Sequence, residues 1–376
     1  MSERRLVYLC DWLPPDFGAV GQYALAEARQ RAAQGEQVTL VGLATRADSV
    51  REERVGAGRL TVIRLATAAY DRADFFARLL WTLGTNLRLV AAALPALRRA
   101  DEVLFTGSPP FLVHLLVPLN ALLRRRLTYR ITDFHPECLI AELGRTPAGL
   151  GLFRRLTVAL RRRVARLEVL GEDQRRRLVA DGFDPQRIGL HRYGSPVAVT
   201  PQTRPLARPP ELAGKVALLY SGNFGVAHDH ETFLAGYRRH HREGSGRVVL
   251  WLNATGAKAD RLEAALRADG LPVHRSRPLP IDRLAALLVT PDAHLVTLRD
   301  EFVGLVLPSK IYGILDSHRP LLFVGSEASD IHALAIAECA QGSYRRVAVG
   351  DAPALATALE SLADAVSPAR TLADPR

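Results

Sequence analysis

The chain has 376 residues, 48% apolar and 24% charged, which is the balance of a folded globular protein with room for two ordinary domains and excludes a disordered one. Fifty basic residues against 39 acidic ones leave a net charge of +11, and arginine runs fall at 124–126, 154–155, 161–163 and 175–177, all in the first half. Cys10, Cys138 and Cys339 stand apart without CxxC spacing, which argues against a zinc knuckle or a disulfide framework and fits a reducing, cytoplasmic setting.

The N-terminus is polar and too short for a signal peptide, and no run of about 18 apolar residues is read as a membrane span. Residues 5–10 read as a buried strand running into a loop that holds Gly18 and Gly21, then a helix over 22–34 and a second strand over 37–43. Strand, glycine loop, helix and strand open a Rossmann-like half, with backbone able to approach an anionic ligand at the loop. A strand over 60–65, a helical region over 71–99 interrupted near Gly84 and Pro95, and a strand over 103–106 follow. The fifth strand, 127–132, delivers Asp133, His135 and Glu137 to the end where open α/β sheets hold ligands. Those side chains suit a base, an orienting group or a ligand to a substrate hydroxyl, while Asp133 as a helix cap and His135 as a packing group are the plainer readings. No Asp-x-Asp or His-Glu-x-x-His motif is present, so no metal is expected.

A helix over 151–166, the strand residues 168–170, a helix ending at Gly182 and a short strand over 188–192 complete the first half, residues 1–198. The proline-rich segment 199–212 reads as a linker, residues 213–360 as a second domain and 361–376 as a tail. The second domain repeats the alternation: a strand over 216–220, a loop with Gly222, Asn223, Phe224, Gly225 and His228, a strand over 247–253 and a turn at Gly256. A strand over 293–298 then leads to Glu301, and Pro308-Ser309-Lys310 opens an apolar helical segment. Proline in a first helical turn loses only an N–H that would be orphaned anyway, and the hydroxyl and cation after it suit a sugar phosphate. Lys310 is one of three lysines among fifty basic residues, so a compact point charge is used where arginine is otherwise the rule. Two such α/β halves predict an interdomain cleft lined by strand ends.

The segments Tyr220-Ser221-Gly222-Asn223-Phe224-Gly225, Asp133 with its neighbours to Glu137, and Leu307-Pro308-Ser309-Lys310-Ile311-Tyr312-Gly313 with Arg319-Pro320 are each ordinary alone but specific in their order and spacing together. Over nearly the whole chain they resemble the family 4 glycosyltransferases of the GT-B fold, and look closest to the bacterial branch of colanic-acid and fucosaminyl transferases. The resemblance implies two Rossmann-like domains facing a cleft and a retaining, metal-independent transfer of a sugar from a nucleotide-diphosphate donor, which is a substrate and not a cofactor. It implies catalytic roles for Asp133, Glu301 and Lys310, and a donor site of Gly222, Asn223, Phe224, Gly225, His228, Gly256, Pro308, Ser309 and Lys310. Gly18, Gly21, His135 and Glu137 fall on the acceptor side.

The chain departs from that family at several places. Glu301 matches the first glutamate of the Glu-x7-Glu motif, but the second, a ribose ligand, is Ser309; counting back from Arg319-Pro320 puts the pair at Leu305 and Gly313 instead. Asn223 and His228 stand where many members carry an arginine and a lysine, which leaves phosphate neutralisation to Lys310. The frequent catalytic histidine aligns with Thr132, not His135. The arginine runs and apolar helices of the first half suggest a polyprenyl-linked saccharide acceptor met at the inner membrane face by a cytoplasmic or peripheral protein. Transfer to a soluble small molecule, a sugar-nucleotide 2-epimerase and a catalytically degenerate scaffold are the alternatives. Nucleic-acid binding is disfavoured because the arginine clusters lack interleaved aromatics.

Overall fold

The computed structural model describes residues 4–16, 19–68 and 75–371, and the chain divides into two compact units, Met1–Tyr193 and Gly194–Arg376. In the first, the elements in order are β1 (Arg5–Trp12), α1 (Ala19–Ala33), β2 (Gln37–Ala44), β3 (Ser49–Val55), β4 (Gly58–Ala66), α2 (Phe75–Leu97), β5 (Glu102–Thr106), α3 (Val113–Leu123), β6 (Arg126–Ile131), α4 (Glu137–Leu143), α5 (Ala148–Arg161), β7 (Arg166–Val169), α6 (Glu172–Ala180) and β8 (Ile188–Leu190). The sheet order is β3-β4-β2-β1-β5-β6-β7-β8. Every pair is parallel except β3 with β4. The winding reverses between β1 and β5, which leaves a crevice at their carboxyl ends.

Burial on both faces makes β1, β2 and β5 nearly continuous apolar runs, and Leu6, Tyr8, Leu40, Val62 and Leu104 pack with Ala24 and Ala28 of α1. Strand β3, absent from the sequence reading, is exposed and charged at Arg51, Glu52 and Arg54, with Glu53 half-buried. An edge strand needs no apolar pattern and is protected from further pairing by such charges.

Helix α2 is built against the usual polarity. Asn86 is 1% exposed and Thr82 and Thr85 are buried, while Leu80 and Leu87 are 70% and 58% exposed with Leu79 and Leu83 on the same stripe. The stretch Leu79–Leu97 is, by length and composition, apolar enough to cross a bilayer, contrary to the sequence reading. Its buried amide is committed to the domain: Asn86 Nδ2 donates to the Pro110 carbonyl at 2.8 Å.

The second unit runs β9 (Val216–Asn223), α7 (Glu231–Glu243), β10 (Val248–Thr255), α8 (Ala257–Ala268), β11 (Val273–Ser276), α9 (Leu284–Val289), β12 (Ala293–Thr297), α10 (Lys310–Asp316), β13 (Leu321–Val324), α11 (Asp330–Glu338), β14 (Tyr344–Val347) and α12 (Ala352–Thr371). Its parallel sheet has the order β11-β10-β9-β12-β13-β14, reversing between β9 and β12. Helices α7 and α12 cross closely because Gly236 carries no side chain: a Cβ there would lie 2.6 Å from Leu355.

Two expected boundaries move. The division falls at Tyr193, ahead of residue 198, and residues 361–371 are not a tail but the continuation of α12, whose Leu362 and Ala363 are buried in the core.

Candidate functional site

At the carboxyl ends of β1, β5 and β6 the first unit gathers Asp11, Ser108 and Asp133. Ser108 Oγ donates to Asp11 Oδ2 at 2.8 Å. Burial, with the negative charge of Asp133 adding to it, pushes the Asp11 carboxyl up to about 7, although the Ser108 hydroxyl and backbone N–H groups pull the other way. Burial alone pushes Asp133 up to about 6. Carboxyls raised toward neutrality can each take up or release a proton near neutral pH, as general acid–base chemistry requires. Asp11 does not stand out as a candidate in the sequence, although it ends a buried strand just ahead of the glycine loop. Gly21 is required there: a Cβ would sit 1.8 Å from the Trp12 carbonyl oxygen, so α1 runs directly against the end of β1. Gly18 lies outside the described residues.

His135 and Glu137 do not join this pair. The His135 ring packs edge-on against Phe111, with centroids 5.9 Å apart, and its carbonyl accepts from Arg161 Nη2 at 2.8 Å. Glu137 is a structural anchor. Its carboxylate takes both arms of the buried Arg161 guanidinium, at 2.6 and 3.1 Å, and Arg154 lies 3.7 Å away. Burial would raise its pKa, but the Arg161 charge and hydrogen bonds outweigh that and leave it lowered. Glu137 is committed before any substrate arrives, and its place beside Asp133 in sequence concealed this.

In the second unit Lys310 is the focus. Its Nζ stands 3.6 Å from the centroid of the Tyr220 ring and is buried, with no hydrogen-bond partner among the described residues. Burial lowers its pKa well below the ordinary value. Gly222, with φ +109°, turns the backbone past it, and a Cβ there would lie 3.7 Å from Nζ. Tyr220 stacks on Phe224 at 4.2 Å, and His228 meets both rings edge-on at 5.6 Å. His228 is itself neutralised, its pKa lowered by burial and then by the Lys310 charge, and Nδ1 is 2.6 Å from the Thr297 carbonyl. The loop is pinned by Lys258, whose Nζ donates to the carbonyls of Val226 and His228 at 2.9 and 2.7 Å. Tyr220, as the ring under the cation, and Lys258 carry no signal in the sequence that marks these roles.

Gly256, with φ +106°, lies against Asn223 and Phe224; a Cβ there would fall 2.8 Å from Asn223 Oδ1. Asn223 is exposed and Gly225 half-buried beside its amide. Glu301 sits on the turn after β12, exposed, with Arg299 Nη2 at 3.4 Å. Pro308 and Ser309 are half-buried just ahead of Lys310, and the helix they open is only seven residues long. At Gly313 a Cβ would lie 2.9 Å from the Leu288 Cδ1 methyl, the movable end of a side chain, while Ser309 is half-buried one residue ahead of the helix. Among the described residues no group of three His, Cys, Asp or Glu side chains could hold a metal ion.

The Rossmann order of strands occurs in both units, and the candidate residues fall at the reversal point of each. Solved structures share this architecture over nearly the whole chain. One described as trehalose-6-phosphate from E. coli bound with UDP-2-fluoro glucose has a TM-score of 0.64 at 12% identity, covering 97% of this chain and 95% of that one. The chain has the GT-B fold. WaaG, a glycosyltransferase involved in lipopolysaccharide biosynthesis, gives a TM-score of 0.60 at 14% identity with 99% and 95% coverage. Anabaena Alr3699/HepE in complex with UDP and glucose gives 0.63 at 11% with 98% and 94%. Identities this low carry the GT-B fold alone. In sequence, the chain is 26% identical over 254 residues to the probable glycosyltransferase WbjE of Pseudomonas aeruginosa, a match covering 65% of this chain and 62% of that protein's length. No family model matches.

Proposed function

We propose that this GT-B protein is a retaining, metal-independent glycosyltransferase of the family 4 type, moving a hexosyl or related sugar from a nucleotide-diphosphate donor to a lipid-linked saccharide for a cell-surface polysaccharide. No cofactor takes part. The observation that carries the reading is the buried Lys310 Nζ, held over Tyr220 beside the Gly222 turn and lacking a hydrogen-bond partner among the described residues. An ammonium in that position is costly until an anion meets it, and a diphosphate brings the charge and the acceptor oxygens that complete it. Sugar transfer fits because the diphosphate is then a leaving group whose developing charge Lys310 neutralises, while Asp133 and Asp11 hold or accept a proton of the acceptor hydroxyl. Glu301 is assigned to the donor sugar and Ser309 to the ribose. His228, neutral and buried, shapes the pocket wall instead of supplying charge.

Support for the lipid-linked acceptor and a peripheral, cytoplasmic-face location comes from the exposed leucine stripe of α2 and the arginine-rich first unit. A thermal-shift panel of nucleotide diphosphates and their sugars tests the donor class, because a ligand of the folded state raises the midpoint. Silence across the whole panel would remove the donor reading. Epimerised donor formed without any acceptor would replace the transferase with a 2-epimerase.

A further inference from the structure

The helical layer of the first unit holds a cavity of about 350 Å³ lined by Glu137, Ile140, Thr146, Arg154, Arg155 and Arg177, between α4, α5 and α6. None of the transfer chemistry uses it. Three guanidiniums, Arg154, Arg155 and Arg177, line it with one carboxylate, Glu137. Arg161 is forked onto Glu137, and Arg154 pairs with Asp181 at 2.7 Å. That leaves two positive charges in excess. Arg155 is exposed at the cavity, and the Arg177 Nε is buried with no hydrogen-bond partner among the described residues. A guanidinium donor buried without an acceptor is completed most directly by a phosphate or carboxylate oxygen.

The surroundings narrow the choice. On α5, Leu152 and Leu156 are 68% and 50% exposed, one helical turn apart with Arg155 between them, and Leu143 is exposed at the end of α4. A cationic recess on helices that also expose leucines matches the boundary of an anionic bilayer, where phosphate lies just above apolar chains. A soluble phosphate has no use for those leucines. The volume is at the lower end of the roughly 300–1,000 Å³ typical of small-ligand sites, enough for a phosphodiester headgroup.

We propose that this cavity binds the phosphate of an anionic lipid headgroup, with Arg155 and Arg177 as its ligands and Leu152 and Leu156 entering the acyl boundary. The site goes beyond the transferase reading and stands without it, since it involves neither Lys310 nor the Asp11 and Asp133 pair.

Co-sedimentation of the full chain with phosphatidylcholine vesicles, with and without phosphatidylglycerol, tests it. Binding is expected only where phosphatidylglycerol is present. The Arg155→Ser, Arg177→Gln variant is expected to bind roughly 25-fold more weakly, on the scale of two juxtamembrane basic residues. Arg155→Ser alone, at an exposed position, is expected to lose roughly fivefold and keeps the test open if the double variant unfolds. Leu152→Ser with Leu156→Ser is expected to weaken binding without lowering the midpoint of thermal unfolding. The control is Arg51→Ser with Arg54→Ser, which removes the same charge from the edge strand β3 and is expected to retain binding. An equal loss in that control would reduce the effect to net charge and overturn the site. So would stabilisation by inorganic phosphate that the Arg155 and Arg177 changes abolish, if vesicles then fail to bind: the cavity would take a free phosphate. Donor-induced thermal shifts are expected to be the same in all these variants, so failure here is separable from failure of the transferase reading.

Discussion

The Lys310 ammonium lies 3.6 Å above the centre of the Tyr220 ring, one element's start meeting another strand's interior at the point where the second sheet reverses. The ring face partly offsets the cost of burying the cation but supplies no hydrogen-bond acceptor. The first prediction follows from that incompleteness. Lys310→Met keeps the stem's packing and removes the charge, and is expected to weaken binding of a nucleoside diphosphate by roughly 10- to 150-fold, the range of a hydrogen bond to a charged group. The wild-type complex should also take up a proton on binding. Burial lowers the free protein's Lys310 pKa, the diphosphate raises it again, and linkage then draws in the difference. Calorimetry in two buffers of different ionisation enthalpy reads both quantities. Equal affinity in the variant would remove Lys310 from the donor site.

The Asp11 and Asp133 pair sets a second expectation. Folded Asp11 titrates at about 7, against an ordinary value of 3.8, so between those values the folded state binds more protons than the unfolded one. Stability therefore falls as pH rises from about 4 to about 7 and is level above that. Asp11→Asn preserves an acceptor for Ser108 and removes the titration. It should match wild type near pH 4 and be more stable at pH 8 by a few kcal/mol, because each tenfold change in proton affinity is worth about 1.4 kcal/mol. Urea midpoints at the two pH values decide this; a variant less stable at pH 8 would contradict it. Asp133→Asn is expected to cost transfer about 10²- to 10⁴-fold if it handles the acceptor proton.

The leucine stripe of α2 leads to a third. Leu80→Ser, Leu83→Ser and Leu87→Ser alter exposed positions, so each should change stability by no more than about 0.5 kcal/mol. If the stripe meets a bilayer, each leucine contributes on the order of 1.5 kcal/mol or more on burial, and the triple variant should leave the membrane fraction for the soluble one. Fractionation of cells expressing each form gives the answer. Unchanged partitioning would mean the stripe faces something other than lipid.

Much of this was written in the sequence, because parallel strands buried on both faces have to be apolar runs and the loops at their carboxyl ends stand out against them. The strands at 5–10, 216–220 and 293–298, and Lys310 among its arginines, were legible in that way. Strand β3 was not, since an exposed edge carries no pattern. Nor was Asp11, whose neighbours in space, Ser108 and Asp133, are about a hundred residues away and are brought to it only by the winding of the sheet. Glu137 misled for the opposite reason: adjacency to Asp133 suggested a shared cleft, while its partner Arg161 lies one helix later.

That partner supplies the last prediction. Arg161 and Glu137 are both buried side chains joined by two hydrogen bonds, and Arg161 also ties the His135 carbonyl and covers the Phe134 ring at 5.1 Å. Removing one member leaves the other charged in a dry site, so Glu137→Ala is expected to destabilise the first unit by about 3–5 kcal/mol. Replacing both, as Glu137→Leu with Arg161→Met, should cost less than the two single changes together, because no lone charge remains. The pH dependence separates this pair from Asp11. Its folded carboxyl is lowered, so its stabilisation is present above the ordinary glutamate value and is lost as pH falls through the lowered one, whereas Asp11 acts between about 4 and 7. Urea unfolding of the two single variants and the double variant at neutral pH closes the cycle. Strictly additive losses would mean that the fork seen at 2.6 and 3.1 Å carries no coupling, and Glu137 would again be a residue free to meet a substrate.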